Sequence, residues 1–245
     1  FIRPSPMFEP VIQDVLKLMS YNVCLPNKRI TSITEVIRSV NPDLLLLQDV
    51  NPDFAENLIS QVSDLYPSED KHLAYDQASR QLIFSQFQLA RQEVTWKQGR
   101  VLKVIIETSY GPIHVWNVHI SQPLDWGQHD RELALLADAV QAENGRLIVA
   151  GDFNTTGQSE AYRLISRKLR DGHRDAGWGF GFTFPAPEAN PRCRLEFNSF
   201  SLGPFARIDH ILYSDHFSAR RVSTLASSGG SDHFPVVAEL SLREP

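Results

Sequence analysis

Gly151-Asp152-Phe153-Asn154 directly follows the apolar run Leu147-Ile148-Val149-Ala150. A carboxylate and a carboxamide two positions apart at the end of a buried strand point the same way, because side chains along a strand alternate with a period of two. Asn154 can offer two amide donors to a phosphate oxygen or one carbonyl to a metal, so the pair suits a phosphate-ester site. Four other segments end in the same fashion: Ser20-Tyr21-Asn22, Leu47-Gln48-Asp49, Asn117-Val118-His119 and Arg207-Ile208-Asp209-His210. A sixth, Ser231-Asp232-His233, opens a final apolar strand. Polar groups at so many strand ends imply one shared pocket.

Asp49, Asp152, Asp209 and Asp232 supply hard oxygen donors of the kind that magnesium takes, with one or two carboxylates, several waters and a substrate phosphate completing its shell. Asp49 is the best single candidate, since it ends the apolar run Leu44–Leu47. The plainer reading makes Asp49 a cap for the turn or helix at Pro52, and makes Asp152 with Asn154 an Asx-turn. His233 can act as general base, general acid or phosphate-stabilising cation if a carboxylate on another strand end orients it. Which aspartate does so is left open here. His119 could equally satisfy a buried hydrogen bond. Separately, each plain reading has force; one phosphoester site accounts for all six segments together.

The elements that must position these residues follow from periodicity. Val15 to Val23 reads as a strand. Ser32-Ile33-Thr34-Glu35 has the capping-box pattern, and Ile33, Val36, Ile37 and Val40 continue at helical spacing until Asn41-Pro42. Leu44 to Leu47 is unbroken apolar, as for a strand covered on both faces, and Asn51-Pro52 starts a second helix through Phe54, Leu58, Val62 and Leu65. Strands are expected at Leu82–Phe84, Val94–Trp96, Val101–Thr108 and Ile113–Ile120, then helices over Arg131–Glu143 and Ser159–Leu169 around the strand before Gly151. Asp171 to Ala206 is rich in Gly, Pro, Phe and Trp with little periodicity, the mark of a functional or mobile loop. Trp178, Phe180, Phe182 and Phe184 read as core packing, with a substrate cleft as the alternative. Two β-sheets packed together with helices outside fit this order, in one domain over residues 1–245 with its core at about 16–242.

Composition narrows the partners. A formal charge of −5 argues against a broad basic surface, which non-specific nucleic-acid binding needs. Lys97, Arg100 and Lys103 near a strand pair, or Arg163, Arg167, Lys168 and Arg170 on a helix, are groupings that could serve a phosphate backbone, though such charges usually mark a solvated face. Cys24 and Cys193 lack metal-site spacing and are expected as buried or free thiols. No apolar run approaches the roughly 20 residues that span a bilayer. The chain begins with Phe1, so an upstream targeting or membrane segment is compatible with it.

In order and spacing the six segments resemble the endonuclease/exonuclease/phosphatase superfamily, which includes DNase I, abasic-site endonucleases, inositol-polyphosphate phosphatases and neutral sphingomyelinases. The resemblance runs from about Leu16 to Leu242. It implies an α/β fold, a four-layered αββα sandwich of two mixed sheets face to face, and hydrolysis of a phosphodiester or phosphomonoester with Mg2+ or Mn2+. By the same resemblance Asn22, Asp49 and Asp232 would sit at the metal, and Asp152 would position or deprotonate the attacking water. Asn154 and His119 would hold the phosphate, and Asp209 would orient His233. Members generally carry glutamate where this chain has Asp49, and the abasic-site nucleases have aspartate where it has Cys24, which argues against that branch. The segments Gly181–Pro185, Arg207–Leu212 and Ser231–Val237 are similar in texture to bacterial members of the teicoplanin-resistance type, whose domain faces outward from the membrane. With the acidic net charge and no evident basic run, the site constellation makes a small or lipid-linked phosphoester the expected substrate, and the protein is expected as a monomer without a protein partner. A DNase-like endonuclease and a catalytically silent binding module are the alternatives.

Overall fold

Strand alternation places the catalytic candidates. In β1 (Leu16–Asn22) the residues Leu16 and Leu18 face one way and Met19 and Tyr21 the other, and the same division runs through the remaining strands of the computed structural model. The structure describes residues 15–67, 70–95, 100–124, 126–193 and 203–243. After β1 come α1 (Ile30–Val40), β2 (Leu44–Gln48), α2 (Pro52–Gln61), β3 (Leu73–Asp76), β4 (Gln81–Ser85), β5 (Leu89–Thr95), β6 (Val101–Ile106) and β7 (Ile113–His119). The second half contains α3 (Trp126–Ala142), β8 (Leu147–Asp152), α4 (Glu160–Ile165), β9 (Arg170–Asp171), α5 (Gly172–Ala176), β10 (Asp209–Tyr213), β11 (Phe217–Thr224) and β12 (Val236–Leu242).

Two mixed six-stranded sheets result, in the orders β11-β12-β1-β2-β4-β3 and β5-β6-β7-β8-β10-β9. Their facing sides share one apolar layer, with Leu16, Leu18, Leu44, Leu46 and Ile83 from the first and Leu102, Val104, Val115, Ile148, Ala150 and Ile211 from the second. On the outer side of the first sheet α1 and α2 bury Ile33, Ile37, Phe54 and Leu58 against Met19, Leu45 and Leu47. Leu133, Leu136 and Val140 of α3 and Tyr162 and Ile165 of α4 cover Trp116, Val118 and Val149 on the second. This is the expected αββα arrangement. Burying each such Leu, Ile or Val contributes about 1.5–3 kcal/mol before conformational entropy is counted.

Among the described strands, β1 with β2 and β7 with β8 pair in parallel. Parallel neighbours end at the same edge, and antiparallel neighbours begin there, so β1, β2, β7 and β8 finish where β10 and β12 start. Gly151 permits this at β8: a Cβ there would lie 1.9 Å from the Val118 carbonyl oxygen of β7.

Local details differ from expectation. Helix α1 starts at Ile30 with Arg29 at its N-cap and no side-chain cap, while Asn27 Oδ1 accepts from the Arg29 N–H; the Ser32 capping-box pattern thus lies inside the helix. Helix α2 starts at Pro52 as expected, and its cap is Asn51, which accepts from the Phe54 N–H, so Asp49 does not cap this helix. The helix expected over Ser159–Leu169 stops at Ile165, so Arg170 belongs to β9 and pairs with Tyr213, at the other end of β10 from Asp209. β3, β9 and the five-residue α5 carry too little periodicity to be read from sequence. Trp96 and Lys97 lie outside the described residues. Cys24 and Cys193 are not free thiols: they form a disulfide across 169 residues of sequence, a pairing that only the fold brings about.

Candidate active site

Beyond the apolar layer, each inward-facing series turns polar near the strand end. One layer holds Ser20, Gln48 and Asn117, fully buried. Gln48 Nε2 donates to Asn117 Oδ1 at 2.7 Å, and Asn117 Nδ2 donates to the Leu47 carbonyl at 2.8 Å, so the two sheets are laced together beneath the site. The next layer holds Asn22, His119, Asp152 and Asp209, all buried. His119, Asp152 and Asp209 occupy one register row across β7, β8 and β10, and Asn22 of the facing sheet donates through Nδ2 to Asp152 Oδ2 at 2.9 Å.

Asp209 proves to be the aspartate that orients His233, with Nδ1 2.9 Å from Asp209 Oδ2. The other ring nitrogen, Nε2, stands 3.8 Å from Asp152 Oδ2, too far for a hydrogen bond and open to a third group. The backbone of His233 is fixed by Ser231, whose hydroxyl accepts from the His233 N–H and donates to the Asn22 carbonyl. Asp49, in a left-handed conformation at the end of β2, puts Oδ1 3.8 Å from His119 Nδ1. Asp232 is near enough to Asp49 and Asp209 for their charges to raise its pKa. Asn154, also left-handed, donates through Nδ2 to the Ile120 carbonyl at 2.9 Å and to Asp152 Oδ2, and its N–H donates to Asp152 Oδ1. Its side-chain amide protons are therefore committed, one to the Ile120 carbonyl and one to Asp152, while its backbone N–H also holds Asp152. All eight residues singled out from the sequence thus lie at one edge of the sandwich.

The electrostatics are those of a site with excess negative charge. Burial pushes the Asp152 carboxyl up to about 7, with His233 opposing and Asp209 reinforcing the shift. Burial likewise raises Asp232. His233 is held cationic: burial works against its charge, but Asp209, Asp152 and Asp232 outweigh it and raise the imidazole to about 10. His119 is shifted the other way, chiefly by burial, with the nearby Arg100 and His233 cations adding to it and Asp49 opposing.

Oxygen donors in a negative, buried setting fit a hard divalent cation. Polar atoms of Asp152, Asp209 and His233 all lie within 4.8 Å of one another, the protonated imidazole standing there as a counter-charge and not as a ligand. Asp209 Oδ1 is buried without a hydrogen-bond partner, as is His119 Nδ1. Asn22 Oδ1 accepts from the Cys24 N–H at 3.0 Å, which leaves a lone pair available.

The long loop, expected to be functional or mobile, supplies contacts to the site that residue types alone do not assign. Thr183 Oγ1 accepts from the N–H groups of Ile208 and Asp209, and the Phe184 ring lies against His233 with centroids 5.0 Å apart. Nothing periodic marks either residue. The core-packing expectation fails for two of the loop's aromatics, since Trp178 is 96% and Phe180 80% exposed. Of the basic residues near α4, two are engaged within the protein: Arg170 pairs with Asp175, and Lys168 Nζ donates to the Gln141 carbonyl.

A model of the Endonuclease/Exonuclease/phosphatase family matches residues 19–233. The chain belongs to this family. Its fold is shared with the mannosyl-6-phosphatase of Bacteroides thetaiotaomicron, at a TM-score of 0.72 and 17% identity over 93% of this chain and 100% of that one. Truncated TDP2 of Caenorhabditis elegans superposes with a TM-score of 0.67 and 19% identity, covering 93% and 97% of the two chains. A conserved Enterococcus faecalis protein of unknown function gives 0.71 and 17%, covering 93% and 100%. No curated protein matches the chain. Family members of this fold are generally divalent-metal dependent phosphoester hydrolases.

Proposed function

We propose that this family member is a Mg2+- or Mn2+-dependent phosphoesterase that hydrolyses a phosphomonoester or phosphodiester by attack of water. The observation that carries the reading is the register row His119, Asp152, Asp209 facing Asn22 and His233 across the gap between the sheets. Asn22, Asp49 and Asp232 would hold the cation, which when bound neutralises phosphate charge and polarises the phosphorus–oxygen bond. Asp152 takes the proton of the attacking water on a carboxylate oxygen. A carboxyl raised to about 7 is matched to that task near neutral pH, and the Asn154 and Asn22 hydrogen bonds hold it in one orientation. His233, kept cationic and aimed by Asp209, donates from Nε2 to a phosphoryl oxygen as negative charge develops there. Neutral His119 and the face of Asn154 line the phosphate. With p-nitrophenyl phosphate and bis-p-nitrophenyl phosphate as substrates, turnover should need added Mn2+ or Mg2+ and stop with chelator. Undiminished turnover in excess chelator would refute the mechanism.

A small or lipid-linked substrate is favoured over duplex DNA by where the apolar surface lies. Among the described residues the exposed large apolar side chains are Leu124, Trp178, Phe180, Phe205 and Tyr110. All but Tyr110 belong to the loops that leave His119 and lead into Asp209. Phosphoesters bearing a long alkyl chain should be hydrolysed with lower KM than short ones, and Trp178→Ser with Phe180→Ser should erase that preference. Equal KM values across the series would exclude a lipid-linked substrate. The Cys24–Cys193 disulfide also favours an oxidising compartment over the cytosol. Thiol trapping in intact cells that finds both cysteines reduced would contradict that location.

A further inference from the structure

The segment from Thr183 to Cys193 runs along the candidate site and is tied to it at each step. Thr183 Oγ1 accepts from the Asp209 N–H, and the Thr183 carbonyl accepts from the Phe234 N–H at 2.8 Å. Phe184 lies on His233. The Ala186 N–H donates to the Asp232 carbonyl at 2.7 Å, and the Asn190 N–H donates to the Gly230 carbonyl at 2.8 Å. At its far end Cys193 is bonded to Cys24, where Ala189 completes a small buried cluster with the two cysteines. The Cys24 N–H in turn donates to Asn22 Oδ1. One strap thus touches Asp209, His233 and Asp232, and its covalent anchor lies two residues from Asn22.

We infer that the Cys24–Cys193 disulfide is the fastening of this strap and acts as a positioning device, fixing the oxygens of Asn22 and Asp232 at the spacing a divalent cation requires. This rests on the metal-dependent reading above. The physical reason is local. Cys24 sits in a left-handed turn, φ 62°, whose N–H sets the orientation of the Asn22 amide. Asp232 precedes His233 in a turn whose carbonyls are held by the strap rather than by a strand ladder. Without the cross-link, both turns keep their hydrogen bonds only as long as residues 186–193 stay in place by non-covalent contacts. Partners that orient metal ligands without touching the metal are typically worth about 10–100-fold in metal affinity.

The test is Mn2+ titration calorimetry on the oxidised protein and on the Cys24→Ser/Cys193→Ser double variant, well below both melting midpoints. The affinity of the double variant should fall by about 10–100-fold. Reduction of the folded protein should give the same loss: a water-soluble phosphine becomes its oxide with the oxygen of one water, and the disulfide takes up two electrons and two protons to yield two thiols. That sample is desalted without air before titration, so a double variant that fails to fold leaves the question answerable. Ile165→Ala, in the outer layer far along the second sheet, supplies a comparably destabilised reference and should bind Mn2+ as the parent does. Unchanged affinity in the reduced protein, or an equal loss in Ile165→Ala, would overturn the inference while leaving the phosphoesterase reading intact. No binding by the oxidised parent would remove that reading and the inference together.

Discussion

Asp209 and His210 are neighbours on β10, and because strand side chains alternate they belong to two different buried polar clusters. Asp209 faces inward, with His233, Asp152 and Asp232 around it, and its Oδ1 has no hydrogen-bond partner. His210 faces outward into a cluster of the same residue types that is saturated. Arg207 donates to both oxygens of Asp171, at 3.0 and 2.9 Å, and Tyr162 donates to one of them at 2.7 Å. His210 accepts from Arg207 on Nδ1 and donates from Nε2 to the Thr155 carbonyl at 2.9 Å, with the Phe153 and Tyr162 rings against it. Charge separates the two. The outer cluster contains a partly buried guanidinium and drives His210 down to about 4, by burial first and Arg207 second. The inner one has an excess of carboxylates and drives His233 up to about 10. The outer cluster is complete as folded, whereas the inner one gains from a cation and a phosphate.

Substitutions should therefore act oppositely in the two clusters. The largest effect is expected at the inner cluster on rate: Asp152→Ala and His233→Ala should each lower kcat by about 10³-fold, the range of a lost general base or a lost preorganised charge. Activity within tenfold of the parent in both would dissolve the contrast. Arg207→Ala should instead unfold the protein more easily, by up to about 3–5 kcal/mol, because it removes the bidentate partner of the buried Asp171 carboxylate and leaves the half-exposed Arg174 as its remaining ion-pair partner. Denaturant titration measures this, and a cost under 1 kcal/mol would count against a structural role.

Acid should probe the outer cluster selectively. A histidine held at about 4 in the fold, against 6.5 in the unfolded chain, binds its proton more readily when unfolded. Its contribution is complete above pH 6.5 and is lost as pH falls through 4. Asp171, lowered to about 2 by Arg207 against the opposing effect of burial, extends the loss below its ordinary value of 3.8. His210→Gln, which keeps one acceptor and one donor, should flatten the dependence of Tm on pH between 6.5 and 4; an unaltered slope would place the titration elsewhere.

At the inner cluster the sign is reversed. Raised from 3.8 to about 7, the Asp152 carboxyl weakens the metal-free fold as pH climbs through that interval. Asp152→Asn should then raise the metal-free Tm at neutral pH by an amount worth about 1–3 kcal/mol, while abolishing turnover. A lower Tm would show that the carboxylate supports the fold. The smallest effect is expected for Asp49→Glu, whose extra methylene should tighten Mg2+ binding a few-fold relative to Mn2+ in calorimetry, given the strict geometry that magnesium demands. Weaker Mg2+ binding would mean the site is adapted to the shorter side chain.

Much of this was readable in advance, and the reasons are specific. Asn22, His119 and Asp152 end runs of alternating or continuous apolar residues, and a period of two leaves only one side for them once the apolar face is known; Asp209, expected to close a strand, instead opens β10, and reaches the same edge because β10 runs antiparallel to β8. Cross-sheet identity was not readable in that way. Whether Asp209 or another carboxylate orients His233 depends on β10 running antiparallel beside β8, and strand pairing is a long-range property. Thr183 could be given no role from the sequence, and Phe184 none beyond core packing or a cleft wall, because a loop has no period against which an inward-facing residue stands out. Trp178 and Phe180 were misread for the same reason: hydrophobicity favours burial but cannot enforce it on a segment without a strand or helix to present it.

The sequence by itself determined the strand ends, the polar groups they carry, the kind of cation they suit and the layered α/β class, since all of these follow from side-chain chemistry and local periodicity. Only the tertiary structure decided which groups meet across the gap, which of two adjacent residues on β10 serves the site, and that Cys24 and Cys193 join. Those outcomes depend on the order of strands in the sheets and on the path of an aperiodic loop, where contacts between distant residues, and no local rule, select the conformation.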